Sequence, residues 1–202
     1  MVAAPRLRAW ISRYVARHGA PEVDAGPVQL RLNAPDGDQA WLDIPFPPLP
    51  SDQEPLAQLI VHVERDRRIG VLLVRRGGVA VGVFDGDHLV TSKVGSAYVQ
   101  GTTKAGGWSQ QRFARRRDNQ ARDAFRRAAD VAHAVLGPYA GELDALVVGG
   151  DRSAVDTVLA DDRLRRLQAL RVGPLLAVPD PRLRVLEATP EQFRAVRIAL
   201  YP

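Results

Sequence analysis

Two adjacent glycines lie shortly before a glutamine near the middle of the 202-residue chain. Gly106 and Gly107 are followed by Trp108, Ser109 and Gln110. Because glycine has no Cβ, this backbone can approach another molecule closely. The amide of Gln110 is neither a strong acid nor a strong base, but it can donate and accept hydrogen bonds at the same time. The segment can therefore engage a reactive group through hydrogen bonds at short range.

Positive charge is concentrated around and after these glycines. The segment 104–130 contains eight basic and three acidic residues, so it carries the whole formal net charge of +5. On a helical wheel Arg115, Arg122 and Arg126 fall on one side, whereas Arg117 falls within the apolar stripe on the other. This concentration predicts a polyanionic partner. A solvated helix face in an arginine-rich protein is the alternative.

Several kinds of chemistry are excluded by what the sequence lacks. The absence of cysteine rules out disulfides, thiolate zinc sites and a cysteine nucleophile. The four histidines show no i,i+4 or other metal-ligand spacing, and the segments 77–82 and 102–106 do not match nucleotide-binding patterns. We therefore predict neither a metal nor another cofactor. No apolar run reaches about 18 residues, so we expect no membrane association and a cytoplasmic location.

A second glycine pair, Gly149 and Gly150, precedes Asp151, Arg152 and Ser153. A strand, a glycine turn and a helix start leave free backbone N–H groups that could hold an anion. We favour an ordinary turn between a strand and a helix, with Asp151 as the N-cap residue.

The predicted strands and helices indicate how the basic segment is positioned. Apolar runs separated by tight turns predict an antiparallel meander, and a long helix at 109–136 follows it. The strands of the meander are 69–74, 79–84 and 88–94. The elements predicted after the long helix are a buried strand at 145–148, a helix after Asp151, a helix near 162–170, strands at 175–178 and 185–188, and a last helix at 190–200.

This order of elements predicts an α/β fold, with α+β as the alternative: a mixed sheet containing an antiparallel meander, with flanking helices. The loop 101–110 is expected to be exposed and mobile, because it has three glycines and no apolar residue before Trp108. The long helix is expected to pack on one face of the sheet.

The N-terminal part of the chain is expected to form a small extension. An amphipathic helix at 6–17 and strands at 28–32 and 40–44 precede a proline-rich connector. We therefore divide the chain into an N-terminal helix and hairpin, 1–55, and a main domain, 56–202.

The sequence Lys-Ala-Gly-Gly-Trp-Ser-Gln-Gln-Arg-Phe-Ala-Arg-Arg-Arg, from Lys104 to Arg117, resembles the catalytic middle domain of eukaryotic and archaeal class I peptide release factors. It is more similar still to the release-factor-like peptidyl-tRNA hydrolases of ribosome quality control, which have an actinobacterial branch and a loop ending in Gly-Ser-Gln. The resemblance covers residues 56–202. The chain departs from the Gly-Gly-Gln pattern because two residues separate the glycines from Gln110, and Gln111 is the alternative functional glutamine.

This resemblance implies a release-factor middle-domain-like fold and hydrolysis of the ester between a nascent peptide and tRNA. Gln110 would position water and stabilise the oxyanion, with Ser109, Gly107 and Gly106 completing the catalytic loop. Trp108 would stack on a base or anchor the helix start in the core. The residues that would bind RNA phosphates are Lys104, Arg112, Arg115, Arg116, Arg117, Arg122 and Arg126, with Trp108 as their aromatic neighbour.

The partners implied by the resemblance are the ribosomal large subunit, through its rRNA, and peptidyl-tRNA. We expect a monomer. A compact domain with a radius of gyration of about 16 Å should not reach from the decoding centre to the ester bond, so release without codon reading is expected. Two alternatives stay open: a non-catalytic module that binds ribosome or tRNA, and a nuclease that cuts the tRNA 3′ end.

Overall fold

The computed structural model describes residues 1–50, 54–75, 78–96 and 109–202, with the backbone alone for Ser96, for residues 109–119 and for Ala121. The chain forms two compact units. The first consists of Met1–Asp66 together with Thr189–Pro202, and the second consists of Arg67–Ala188. This division differs from the predicted boundary at residue 55, because the C-terminal segment pairs with strands from the N-terminal part of the chain.

The first unit is a four-stranded antiparallel sheet with two helices. Its helices are α1 (Ala4–His18) and α2 (Pro55–Glu64). Its strands, in spatial order, are β1 (Glu22–Ala25), β2 (Gln29–Asn33), β3 (Gln39–Asp43) and the last strand of the chain, β8 (Ile198–Tyr201). The predicted N-terminal helix and the two strands around the 35–37 turn are confirmed.

The apolar spacing of the sequence explains the core of this unit. Leu7, Ile11 and Tyr14 of α1 recur every three or four residues and are buried. Leu30 in β2 and Leu42 in β3 alternate with more exposed neighbours, as expected for strands with one buried face. Burying each such leucine contributes about 1.5–3 kcal/mol relative to leaving it exposed.

Two elements of the first unit differ from the prediction. The proline-rich segment leads into α2, which begins where the carboxylate of Glu54 accepts hydrogen bonds from Leu56 N and Ala57 N. The helix predicted at 190–200 is wrong: only α7 (Pro190–Phe193) is helical, and the chain then extends into β8. The extended conformation is stabilised by antiparallel pairing with β3.

The second unit contains the mixed sheet that the sequence predicts. Its strands are β4 (Arg68–Arg75), β5 (Gly78–Asp85), β6 (His88–Ser96) and β7 (Ala145–Gly150), in the spatial order β6-β5-β4-β7. The three strands of the predicted meander pair antiparallel, and β7 adds parallel to β4. The α/β interpretation is therefore confirmed.

Helices cover this sheet and complete its core. They are α3 (Ser109–Leu136), α4 (Arg152–Leu159), α5 (Arg165–Ala169) and α6 (Leu183–Glu187). The core joins the inner strands to Ala128 and Ala132 of α3 and to Val155 and Val158 of α4. The strand predicted at 185–188 is wrong, because those residues belong mainly to α6; at 175–178 only Leu176 bridges to β7.

The long helix α3 is longer than the strands on which it packs. Its 28 residues correspond to about 42 Å, whereas an eight-residue strand spans about 26 Å. Near its C-terminal end, Leu136 approaches Gly70 at the start of β4, and Val131 approaches Gly95 near the end of β6. Its N-terminal turns therefore lie beyond the end of the sheet at which β6 ends.

None of the helices in the described ranges combines the length and apolar composition that crossing a membrane requires.

Candidate functional site

Most of the predicted catalytic loop lies outside the described residues. This applies to Lys104, Gly106, Gly107 and Trp108, and to the expected exposure and mobility of the loop at 101–108. The structure does describe the residues on either side of this segment. Strand β6 ends at Ser96, and helix α3 begins at Ser109.

Ser109 and Gln110 are the first two residues of α3, and Gln111 follows them in the same turn. The first four N–H groups of an α-helix have no acceptor within the helix. The same end carries the positive pole of the helix dipole. A negative charge near this end of α3 is therefore favoured by the helix dipole.

The loop starts from the edge of the sheet where β4 and β7 end. Ser96 pairs with Gly78, which pairs with Arg75 at the end of β4. Val74, one residue earlier, pairs with Gly150 at the end of β7. The carboxyl ends of neighbouring parallel strands are the usual position of ligand sites in α/β sheets.

Close backbone approach at this edge requires the second glycine pair. Gly150 has φ of +100°, and a Cβ there would lie 2.1 Å from the carbonyl oxygen of Val74. A Cβ at Gly149 would lie 2.8 Å from Leu73 Cδ2. Asp151 then donates its N–H to Val74 O at 2.8 Å and is the N-cap residue of α4. This arrangement brings the first turn of α4 to the same edge as the start of the loop.

A groove of about 970 Å³ lies at this edge. Arg75 reaches across it: its Nη1 donates to Val178 O at 3.1 Å, and its Nε lies 3.6 Å from Asp151 Oδ1. Two arginines and three aspartates line the groove, so its charge is mixed. Its lining residues are Arg75, Phe125, Gly150, Asp151, Arg152, Ser153, Ala154, Asp156 and Asp180.

Sequence reasoning did not single out Arg75, Phe125 or Asp180. They belong to a strand, a helix and a connecting segment, and only the tertiary fold brings them together. The sequence feature that could have pointed to Arg75 is a charged residue at the end of a predicted strand, beside a glycine turn. The Gly149–Gly150 turn was found, because its glycines stand between a strand pattern and a helix pattern.

The arginines of α3 follow the helical wheel that the sequence predicts, as far as side chains are described. Arg122 and Arg126 are exposed, and Arg126 forms an ion pair at 3.4 Å with Asp123. Arg112, Arg115, Arg116 and Arg117 are placed by their backbone alone. By helical periodicity, Arg115 is on the same face as Arg122. Arg117 precedes the buried Ala124 by two turns, in the part of the helix beyond the sheet.

An ion-pair network holds α3 against the segment after α4. Arg163 Nη2 lies 2.8 Å from Asp130 Oδ1 of α3 and 2.8 Å from Asp161 Oδ2. The Arg163 guanidinium, together with the N–H of Arg163, lowers the pKa of the Asp161 carboxyl to about 2. The carboxylate form of Asp161 is thus favoured by the folded arrangement.

Comparison with known proteins places this site within a family. The family described as "Actinobacteria/chloroflexi VLRF1 release factor" matches residues 67–199. The chain belongs to this release-factor family. The match includes all of Arg67–Ala188, and therefore the segment 97–108, α3 and the groove of the second unit. The predicted kinship with release factors is confirmed.

A curated relative is similar to part of this chain. Peptide chain release factor subunit 1 of Aeropyrum pernix is 30% identical over 113 residues, which are 53% of this chain and 30% of that protein. The matched part of this chain thus spans less than a third of the length of that relative.

Solved structures similar to this chain include two proteins of distant sequence. The archaeal translation termination factor aRF1 has a TM-score of 0.47 at 17% identity, covering 77% of this chain and 46% of that one. The Vms1 mitochondrial localization core has a TM-score of 0.45 at 9% identity, covering 96% of this chain and 81% of that one.

Proposed function

We propose that this release-factor family member hydrolyses the ester bond between a nascent peptide and tRNA on the ribosomal large subunit. The observation that carries this proposal is the Gly-Gly-x-Ser-Gln segment at the start of α3, inside the region that matches the release-factor family. We further propose that the second unit, Arg67–Ala188, carries the activity.

In the proposed reaction, the side chain of Gln110 positions a water molecule against the ester carbonyl carbon. Its backbone N–H, at the N-terminus of α3, is available to the developing oxyanion. Gly106 and Gly107 permit close approach of the loop to the ester, and Ser109 completes the turn into the helix. Hydroxyl groups of the RNA relay the proton from the attacking water to the leaving ribose oxygen of tRNA in this scheme, because the loop has no strong base.

The basic residues are proposed to bind phosphates of rRNA or tRNA. Arg122 and Arg126 are exposed, and this supports the role, because both guanidinium groups can contact a partner without a change in the fold of the protein. A helix that extends beyond its sheet can present such residues deep in an RNA cavity. The proposed set also includes Lys104, Trp108, Arg112, Arg115, Arg116 and Arg117.

We propose that release occurs without a codon in the decoding site, on stalled ribosomes or on large subunits, in the cytoplasm. The similarity of the segment ending in Ser109-Gln110 to hydrolases of ribosome quality control motivates this assignment. A monomeric protein would suffice for the chemistry.

A release assay tests this proposal. Large subunits carrying labelled peptidyl-tRNA are incubated with the wild type, Gln110→Ala or Gln120→Ala, which removes an exposed glutamine of the same helix. We expect the wild type and Gln120→Ala to release peptide without small subunits. Gln110→Ala should lower the rate by about 10²–10³. Full activity of Gln110→Ala, with Gln111→Ala also active, would contradict the assignment.

The released tRNA distinguishes the proposal from its alternatives. Ester hydrolysis leaves the 3′-terminal nucleotide intact, whereas a nuclease leaves a shortened tRNA and a peptide with a nucleotide attached. Binding of wild-type protein to large subunits without any peptide release would identify a non-catalytic module.

A further inference from the structure

A histidine and two aspartates converge on one point in the first unit. His18 is the last residue of α1, and Asp36 and Asp38 flank Gly37 in the turn between β2 and β3. His18 Nδ1 lies 2.8 Å from Asp36 Oδ2 and 3.2 Å from Asp38 Oδ2. One ligand atom from each residue lies within 4.8 Å of the other two.

Two carboxylate oxygens face one ring nitrogen of His18, which carries at most one proton. The two acidic groups also repel each other at this separation. When metal–ligand bonds are about 2.0–2.2 Å, neighbouring ligand atoms lie about 3–3.5 Å apart. The observed distances to Nδ1 are close to that range, so one cation could contact all three atoms.

The surrounding residues hold these ligands in place. Gly37 has φ of +99°, which lets the turn direct both aspartates to the same side. Asp36 Oδ1 accepts the N–H of Asp38 at 3.2 Å, and Tyr14 Oη donates to Asp38 O at 3.2 Å. The rings of Tyr14 and His18 are 4.8 Å apart, and only 13% of the His18 side chain is exposed. The donor set is thus positioned by the fold.

We propose that His18, Asp36 and Asp38 bind a divalent transition-metal ion, with zinc as the ion of choice. An imidazole nitrogen with two carboxylate oxygens is a donor set that suits zinc, whereas magnesium and calcium prefer oxygen ligands throughout. Water would complete the coordination. The ion would link the end of α1 to the β2–β3 turn and stabilise the first unit, independently of the proposed hydrolysis.

The sequence predicts no metal site, because its histidines have no partner at the usual metal-ligand spacing. His18 is separated from Asp36 by 18 residues, and the pairing arises from packing of a helix end on a hairpin turn. The sequence feature that could have indicated this site is an Asp-Gly-Asp turn that follows a helix ending in histidine.

Isothermal titration calorimetry of the tag-free full chain with zinc chloride tests the proposal, with magnesium chloride as the comparison. We expect one saturable zinc site per chain and a higher melting temperature in zinc. His18→Asn, Asp36→Asn and Asp38→Asn should each weaken zinc binding by at least about tenfold, since even outer partners of metal ligands contribute that much. His88→Asn removes an exposed histidine elsewhere and should leave zinc affinity unchanged.

Equal zinc affinity in the wild type and in all three site variants would overturn the proposal, as would no saturable binding. Nitrogen NMR of the wild-type histidine rings gives an answer even if the variants unfold. Zinc should shift the Nδ1 resonance of His18, and an unchanged Nδ1 resonance at saturating zinc would equally overturn the proposal.

Discussion

Gly150 lies so close to Val74 that a side chain at residue 150 would begin 2.1 Å from the carbonyl oxygen of Val74. The same oxygen accepts the N–H of Asp151 at 2.8 Å. These contacts fix the C-terminal ends of β7 and β4 to each other. The end of β6 lies at the same edge of the sheet. The glycine pair has a structural role that is independent of any ligand.

Replacing Gly150 with alanine should therefore destabilise the protein. The positive φ and the clash with Val74 together should lower the free energy of unfolding by at least about 2 kcal/mol. Urea unfolding followed by circular dichroism measures this change. Gly141→Ala is the control, because nothing lies within 4 Å of a Cβ there, and it should change stability by no more than about 0.5 kcal/mol. Equal stability of the two variants would contradict the prediction.

The position of the functional glutamine can be tested separately from the reaction itself. Neighbouring residues of a helix point about 100° apart, so Gln110 and Gln111 cannot serve the same ester equally. We expect Gln110→Ala to lower the single-turnover rate by about 10²–10³ with nearly unchanged binding to large subunits. Gln111→Ala should stay near the wild-type rate. The reverse result would move the functional position to Gln111.

Binding to ribosomal particles should weaken steeply with salt. Arginines that neutralise RNA phosphates release counterions, so each contact adds about 0.7–0.9 to the slope of log affinity against log salt. The variant Arg115→Ala/Arg122→Ala/Arg126→Ala should therefore reduce that slope by about 2. The control replaces three exposed arginines of the same unit outside α3, namely Arg166, Arg182 and Arg184. If both triple variants changed the slope equally, net charge rather than the α3 face would determine binding.

The Asp161 carboxyl should contribute to stability in a defined pH range. Its pKa in the folded protein, about 2, is below its ordinary value, so the unfolded chain binds the proton more tightly. The contribution is complete above about pH 4 and is lost as pH falls toward about 2. The stability difference between the wild type and Asp161→Asn should shrink over that range. In a carboxyl NMR titration, Arg163→Ala should raise the pKa of Asp161, and an unchanged pKa would contradict this account.

Much of the second unit could be predicted from local signals. Glycine turns separate the apolar runs of β4, β5 and β6, and the long amphipathic pattern of α3 ends near Gly137. These features depend on neighbouring residues, so periodicity is sufficient to find them. The segment 190–200 was misjudged because its conformation depends on pairing with β3, about 160 residues earlier in the chain.

The residues of the candidate site likewise differ in whether they are close together in the sequence or only in the fold. The loop and its arginines could be proposed as a site from the sequence because they are contiguous, and their role stays a prediction. Arg75 and Asp151 were not recognised as neighbours, because only the parallel pairing of β4 with β7 brings them together. The contact of His18 with Asp36 likewise depends on the packing of α1 against a hairpin turn. Sequence patterns reveal residues that are close together along the chain. Residues that come together from different helices, strands and turns are found only from the fold.

The pairing of β8 with β3 makes the second unit an insertion within the first. Residues 67–188 are synthesised between two parts of a single sheet, so the first unit cannot acquire its last strand until residue 201 has left the translating ribosome. The second unit, being continuous in sequence, can fold earlier during synthesis. A protein proposed to act on nascent chains would thus complete its own first unit only after its second unit has been synthesised.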